Sequence, residues 1–187
     1  MKKLFILITL LVSVITAFVL PKVAALMVHR TETYDNQLIA AQLSCNVEEK
    51  VKENKIKESI KVRNTSNVDA YMRVRIVTYW TDSKGVAVGV PVSMPEFEVS
   101  GDWIVDTTNN TYYYKKPLEA EELSGEFLAE NSVIELESDK KEWNHIEYEY
   151  FQVVEVVAEV IQAKPSNVVT ESWGVTIDSN GNITGVN

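Results

Sequence analysis

The chain has 187 residues, of which 45% are hydrophobic and 24% are charged, and its formal net charge is −9. This length and apolar content suit one domain with a hydrophobic core, and they exclude a disordered tail. A single cysteine, Cys45, excludes an intramolecular disulfide.

The first 25 residues have the layout of a secretory signal peptide. Lys2 and Lys3 form a short positive region, an uncharged apolar run covers residues 4–20, and small residues end at Ala25. We predict that a signal peptidase cleaves after Ala25 and leaves a mature domain of residues 26–187. The alternative is an uncleaved anchor, because a membrane-spanning helix needs about 17–25 apolar residues. Both hypotheses place the remainder of the chain outside the cell.

Cleavage would also make the domain more acidic. The first 25 residues hold three of the 18 basic residues and none of the 27 acidic ones, so the mature domain would carry a net charge of −12. An acidic domain repels nucleic acid and anionic lipid headgroups. We therefore expect no nucleic-acid partner, and contact with a membrane only through residues 4–20 if they are not cleaved.

The N-terminal half of the domain contains one clear strand pattern. Residues 31–44 become apolar toward their end and suit a first strand, whereas residues 45–58 suit a strand, a turn or a short helix. From Ala70 to Trp80 the residues alternate with a period of two, which predicts a strand with one buried face. The predicted buried face consists of Ala70, Met72, Val74 and Ile76, and the opposite face of Tyr71, Arg73, Arg75, Val77 and Tyr79.

The C-terminal half predicts two hairpins and one long strand. Residues 103–105 and 111–114 flank a polar loop and predict a hairpin, and Asn180-Gly181 predicts a second one. Residues 118–130 are acidic and suit a helical turn, and residues 132–137 suit a short strand. Residues 146–163 alternate valine and tyrosine with glutamate; a helix over residues 153–161 is the alternative, but the β-branched residues favour a strand.

These elements predict an all-β fold. About eight strands without repeats or a flexible linker suit a single β-sandwich, jelly-roll-like, preceded by an N-terminal hydrophobic signal helix. The predicted domains are therefore residues 1–25 and residues 26–187.

The sequence offers no motif for catalysis, for a cofactor or for a metal ion. The two histidines, His29 and His145, do not form a zinc-protease motif, and Cys45 with His145 is weak support for a thiol pair. The Asp178 loop has oxygen ligands but lacks the later glutamate of a calcium loop, so a hairpin turn is favoured. We predict a protein that is not an enzyme, without catalytic, cofactor-binding or metal-binding residues.

One aromatic cluster suggests a surface. Trp103 and the three tyrosines at 112–114 lie in the first hairpin, and three tyrosines in one strand must use both faces. The favoured interpretation is packing on both sides of a sheet, and the alternative is an exposed aromatic strip that binds a partner.

Several segments resemble Gram-positive exported proteins of the TasA/camelysin-like type, whose signal peptides are processed by a dedicated signal peptidase. The similar segments are Asp35-Asn36 with Ile39, the stretch from Val62 to Val74, the stretch from Tyr112 to Leu118, the stretch from Ala158 to Ala163, and Trp173-Gly174. The resemblance implies a jelly-roll-like sandwich and a role at the cell surface or in fibres of an extracellular (biofilm) matrix. Some relatives are called metalloproteases, but no zinc-binding helix is present to carry that activity over.

We therefore expect an exported structural or interaction protein, either a fibre subunit or an accessory protein. A secreted ligand- or glycan-binding module and a camelysin-like protease are the alternatives. Residues 26–43, once released by cleavage, are a candidate donor strand for the sheet edge of another copy. The competing interpretation is that residues 38–43 pair within their own domain.

Overall fold

The computed structural model describes residues 41–143 and 146–187. The predicted signal peptide and the predicted strand residues 31–40 lie outside this part of the chain. Within the described residues, no helix is long and apolar enough to cross a membrane. The elements are β1 (Cys45–Lys52), β2 (Ile56–Asn64), β3 (Ala70–Thr81), β4 (Ala87–Val88), β5 (Trp103–Asp106), β6 (Thr111–Tyr114), β7 (Ile134–Glu135), β8 (Ser138–Trp143), β9 (Ile146–Gln162), α1 (Ser166–Trp173), β10 (Val175–Ile177) and β11 (Ile183–Val186).

These strands form three antiparallel sheets, and the all-β prediction is confirmed. The small sheet has the order β1-β2-β7. The large sheet has the order β5-β6-β3-β9-β8, with β4 paired to the end of β3. Strands β10 and β11 form a separate hairpin.

The main core lies between the small and large sheets. Ile60 and Val62 of β2 belong to one buried cluster with Met72 and Val74 of β3 and Val154 of β9. These side chains meet because alternate residues of a strand point toward the same face of the sheet. The predicted buried face of β3 is confirmed, since Ala70, Met72, Val74 and Ile76 all belong to this cluster.

A second core covers part of the outer face of the large sheet. Tyr71 and Tyr113 are buried there against Val169 of α1, Val175 of β10 and Ile183 of β11. The hydroxyl of Tyr71 donates to the carbonyl of Gly181 over 2.6 Å, which fixes the hairpin to β3. Both cores are built from residues between Cys45 and Val186.

The structure also corrects some predicted elements. Residues 166–173 form a helix that the sequence did not predict; it ends at Gly174, whose φ of 65° is left-handed. Residues 118–130 form no helical turn, and instead several of their backbone groups bond to β2, as when Ser124 N donates to the carbonyl of Val62. Residues 45–52 are a strand, whereas residues 41–44 lie outside any strand.

Two other predicted elements are confirmed. Residues 146–162 form one long strand, which pairs with β3 along twelve positions, and so the helix alternative for residues 153–161 is wrong. The Asn180-Gly181 hairpin is present between β10 and β11. Its turn is longer than two residues, since Gly181 N donates to the carbonyl of Asp178 and Gly181 has a φ of 81°.

Candidate functional site at the open edge of the small sheet

The aromatic cluster is not an exposed surface. Tyr112 and Tyr114 are buried in the main core with Trp103, while Tyr113 is buried in the second core. The Trp103 and Tyr114 ring centroids are 5.1 Å apart, and Tyr113 lies 5.8 Å from Trp173. The prediction of packing on both faces is confirmed, and the exposed aromatic strip is wrong.

Cys45 lies on β1, partly buried against the main core. Burial and the nearby Glu159 carboxylate both raise the pKa of its thiol. A nucleophilic cysteine needs the opposite shift, because only the thiolate reacts. His145, the other half of the suggested pair, lies outside the described residues, as does His29.

The Asp178 loop is a turn held by its own backbone. The Asp178 carboxylate accepts hydrogen bonds from the N–H groups of Asn180 and Asn182 at 2.9 and 2.8 Å. These bonds, with that of Asn182 first, lower the pKa of the Asp178 carboxyl. Across the part of the chain that the structure describes, no three His, Cys, Asp or Glu side chains are grouped to hold a metal ion.

The described fold is incomplete at one sheet edge. Strand β7 has only two residues, which pair with Ile56 and Lys57 at the start of β2. It is the terminal strand of the small sheet, and no described strand pairs with its second edge. A free edge offers unpaired N–H and C=O groups to an incoming strand.

An open groove lies beside this edge. Val99 is bridged to Leu128, and Ala129 N donates to the carbonyl of Glu98 over 2.9 Å. Beyond this pairing the two segments line opposite parts of a cavity of about 600 Å³. We call it the groove; its lining residues are Ser93, Met94, Pro95 and Glu96 from one segment and Val133, Glu135, Leu136 and Glu137 from the other.

The groove has a mixed lining, with apolar side chains at its floor and carboxylates at its rim. Met94 and Leu136 are partly buried and pack against the main core. Glu96, Glu135 and Glu137 are exposed, and none of them forms an ion pair with another described residue. The groove therefore offers apolar contacts and negative charge, which suit an extended segment with apolar side chains and a nearby cation.

Gln152 of β9 connects the two walls. Its side-chain nitrogen donates to the carbonyl of Ser93 over 3.0 Å, and its side-chain oxygen accepts from Glu137 N over 3.1 Å. Trp80 also holds the first wall, since its indole N–H donates to the carbonyl of Pro91 over 3.1 Å. Because these partners are fixed on the large sheet, the groove is preformed rather than assembled on binding.

The opposite edge of the small sheet is protected. Strand β1 has a bulge between Lys50 and Val51, and Lys50 and Lys52 are exposed near it. Bulges and lysines are the usual means of preventing edge-to-edge pairing. The groove edge carries neither lysine nor bulge, but β7 has only two residues, and a short edge strand is itself a form of protection. The feature that favours strand addition there is the groove beside it.

Sequence reasoning did not find the groove. The predicted strand at 132–137 gave one wall, whereas the sequence analysis made no prediction for residues 93–96, which form the other. Their proximity depends on the pairing of residues 98–100 with 127–129, which no sequence pattern shows. Comparisons with protein-family models, with curated proteins and with solved structures found no match.

Proposed function

We propose that this chain is an exported, non-enzymatic structural protein of the cell surface or extracellular matrix, which assembles with other copies by strand addition at the groove. The observation that carries the proposal is the free edge of β7 beside a preformed groove with an apolar floor. In this proposal the facing sheets are a jelly-roll-like sandwich whose smaller sheet has one vacant strand position. The signal-peptide pattern of residues 1–25 supports export.

The proposed donor is the segment 26–41, which begins at the predicted cleavage site. Residues 42 and 43 of the predicted donor 26–43 instead run beside residues 65–67 of their own domain. The first three residues of the donor, Leu26, Met27 and Val28, are apolar, and the next two, His29 and Arg30, are basic. This order of apolar and cationic side chains complements the apolar floor and the acidic rim of the groove. Main-chain hydrogen bonds to β7 would supply affinity, and the alternate side chains would supply specificity.

The donor segment joins the described domain at the end of β2 opposite the groove. Residues 42–44 run beside residues 65–67, since Ser44 accepts from Thr65 N over 3.0 Å and Gln42 N donates to Asn67 over 2.9 Å. The groove lies near Ile56, at the other end of β2. At about 3.3 Å per residue along the strand, it is about 30 Å from the place where residues 42–44 run beside residues 65–67.

This separation limits what the segment can do within its own domain. Residues 38–41 span at most about 14 Å when extended and cannot reach the groove of their own domain. Leu26 is about 15 residues from the anchor and can reach about 50 Å, so insertion into the same chain is a second outcome, which would leave the protein monomeric in the sedimentation test below. A segment that leaves one end of the domain and enters a neighbour at the other end makes a heterologous contact, and such contacts propagate into open filaments.

Assembly of the chain from Leu26 onward tests the proposal. We expect this form to sediment as polymers and to appear as filaments by negative-stain microscopy, whereas deletion of residues 26–36 should leave smaller species. A synthetic peptide of residues 26–36, added in excess, should shorten the polymers by filling the groove.

Charge reversal locates the contact. The double variant Glu96→Lys/Glu135→Lys should assemble at least about tenfold more slowly, because it places cations opposite the basic part of the donor. The control is Glu171→Lys at an exposed position of α1, which makes a single charge reversal away from the groove and is compared with Glu135→Lys alone. Assembly that persists in the deletion variant, or a full form that stays monomeric at high concentration, would contradict the proposal.

A further inference from the structure

The outer face of the large sheet is only partly covered. Helix α1 and the β10–β11 hairpin cover the end that contains Tyr71 and Tyr113. Further along the same face, Val77 of β3 and Phe151 and Val157 of β9 are 44%, 40% and 43% exposed. A solvated face of an antiparallel sheet is ordinarily polar, so a group of apolar side chains that the described residues leave uncovered marks a candidate interaction surface. We call Val77, Phe151, Val153 and Val157 the outer patch.

The charges around the outer patch are balanced, in contrast to the chain as a whole. In the register of β3 and β9, Arg75 lies opposite Val157, and Val77 lies opposite Glu155. The four residues thus lie at the corners of a rectangle. Val77 and Val157 occupy one diagonal, and Arg75 and Glu155 occupy the other. Arg75 and Glu155 are both exposed. Arg75 lies 3.5 Å from Glu159, which also pairs with Arg73 at 2.5 Å, and Glu155 accepts a hydrogen bond from the Tyr79 hydroxyl over 2.7 Å.

We infer that the outer patch binds the outer patch of a second copy of this chain, related by a two-fold axis. If the two-fold axis lies in the plane of the interface, along the line from Val77 to Val157, each of these valines lies over the same valine of the second copy. The same rotation brings Arg75 close to Glu155 of the second copy and Glu155 close to its Arg75. The two ion pairs would add to the contacts that Arg75 makes with Glu159 and Glu155 with Tyr79 within each copy. The surface is therefore self-complementary, as a two-fold interface requires.

The expected geometry agrees with known sheet packing. Two residues along a strand advance about 6.7 Å and neighbouring strands are about 4.8 Å apart, so the diagonal is inclined about 35° to the strands. A two-fold axis at that inclination makes the strands of the two sheets cross at about 70°, which is near the orthogonal class of sheet packing.

A second copy is the partner that the charges favour. The chain has a net charge of −9, so most of its surface repels another copy. The outer patch is an apolar region in which Arg73 and Arg75 balance Glu155 and Glu159, so another copy can approach it without repulsion. This interface lies on the large sheet and uses no donor segment, so it stands independently of the proposed strand addition.

Sedimentation of residues 37–187 tests the interface in the absence of the proposed donor; this form retains both cores, which lie between Cys45 and Val186. We expect a reversible dimer. Arg75→Glu and Glu155→Arg should each weaken the dimer at least about tenfold, because each places like charges over one another. A mixture of the two single variants should restore association. In a mixed dimer, the new glutamate at position 75 of one copy faces the new arginine at position 155 of the other, and the native Glu155 and Arg75 face each other at the second contact.

Two further variants separate the apolar contribution from general solubility. Val77→Lys should abolish the dimer, whereas Val86→Lys, at a valine that is 59% exposed in a turn, should leave it unchanged. A protein that stays monomeric at all concentrations would overturn the inference. So would a dimer that is insensitive to the charge changes, or a mixture that associates no better than either single variant.

Discussion

Gln152 should determine both the stability of the domain and the shape of the groove. Its amide donates to the carbonyl of Ser93 and accepts from Glu137 N, and it also lies 3.4 Å from the hydroxyl of Thr78. The side chain is 5% exposed, so water does not replace these bonds freely. Gln152→Ala removes the two shorter bonds, and at about 1 kcal/mol each it should lower the free energy of unfolding by about 2 kcal/mol.

The expected loss is large enough to measure. For a domain of this size, 2 kcal/mol corresponds to a decrease in Tm of about 4–8 °C. Urea titration followed by tryptophan fluorescence would give the free energy, and a thermal scan would give the Tm. The matched control is Gln162→Ala, which lies on the same strand and the same face, ten residues further on, and should change stability by less than about 0.5 kcal/mol. Equal effects of the two substitutions would show that the Gln152 bonds contribute nothing specific.

Two other predictions concern the thiol and the processing of the chain. Burial and the Glu159 carboxylate raise the pKa of the Cys45 thiol. Alkylation by iodoacetamide should therefore reach half of its maximal rate at a higher pH in the folded chain than in urea. An equal or lower midpoint in the folded chain would contradict a structural role for this thiol. N-terminal sequencing of protein from the culture medium should begin at Leu26; recovery of the intact Met1 form from the membrane fraction would instead establish an anchor.

The strands could be predicted from the sequence because the alternation of side chains that defines a strand involves only neighbouring residues. In β3 each side chain is assigned to a face by its position alone, and the alternation from Ala70 to Ile76 fixed that assignment. The same argument separated Tyr113 from Tyr112 and Tyr114, and it favoured a strand for residues 146–163 over a helix. Helix α1 was missed because it has eight residues, and its apolar positions Val169 and Trp173 read equally well as the end of a strand.

The groove could not be predicted in this way. Its walls, residues 93–96 and residues 133–137, are separated by some forty positions in the chain. The first wall led to no structural prediction from the sequence, so nothing indicated what lies beside it. The residue that joins the walls, Gln152, looks in the sequence like one polar position in a long strand.

The sequence by itself determined which residues face inward on each strand, because the side-chain period of an extended chain is fixed by backbone geometry. Only the tertiary structure decided which edges are paired. Hydrogen bonding between strands involves backbone groups that every residue carries, so side-chain patterns do not encode it directly. The edge of β7 and the part of the large sheet that the described residues leave uncovered are therefore properties of the folded domain.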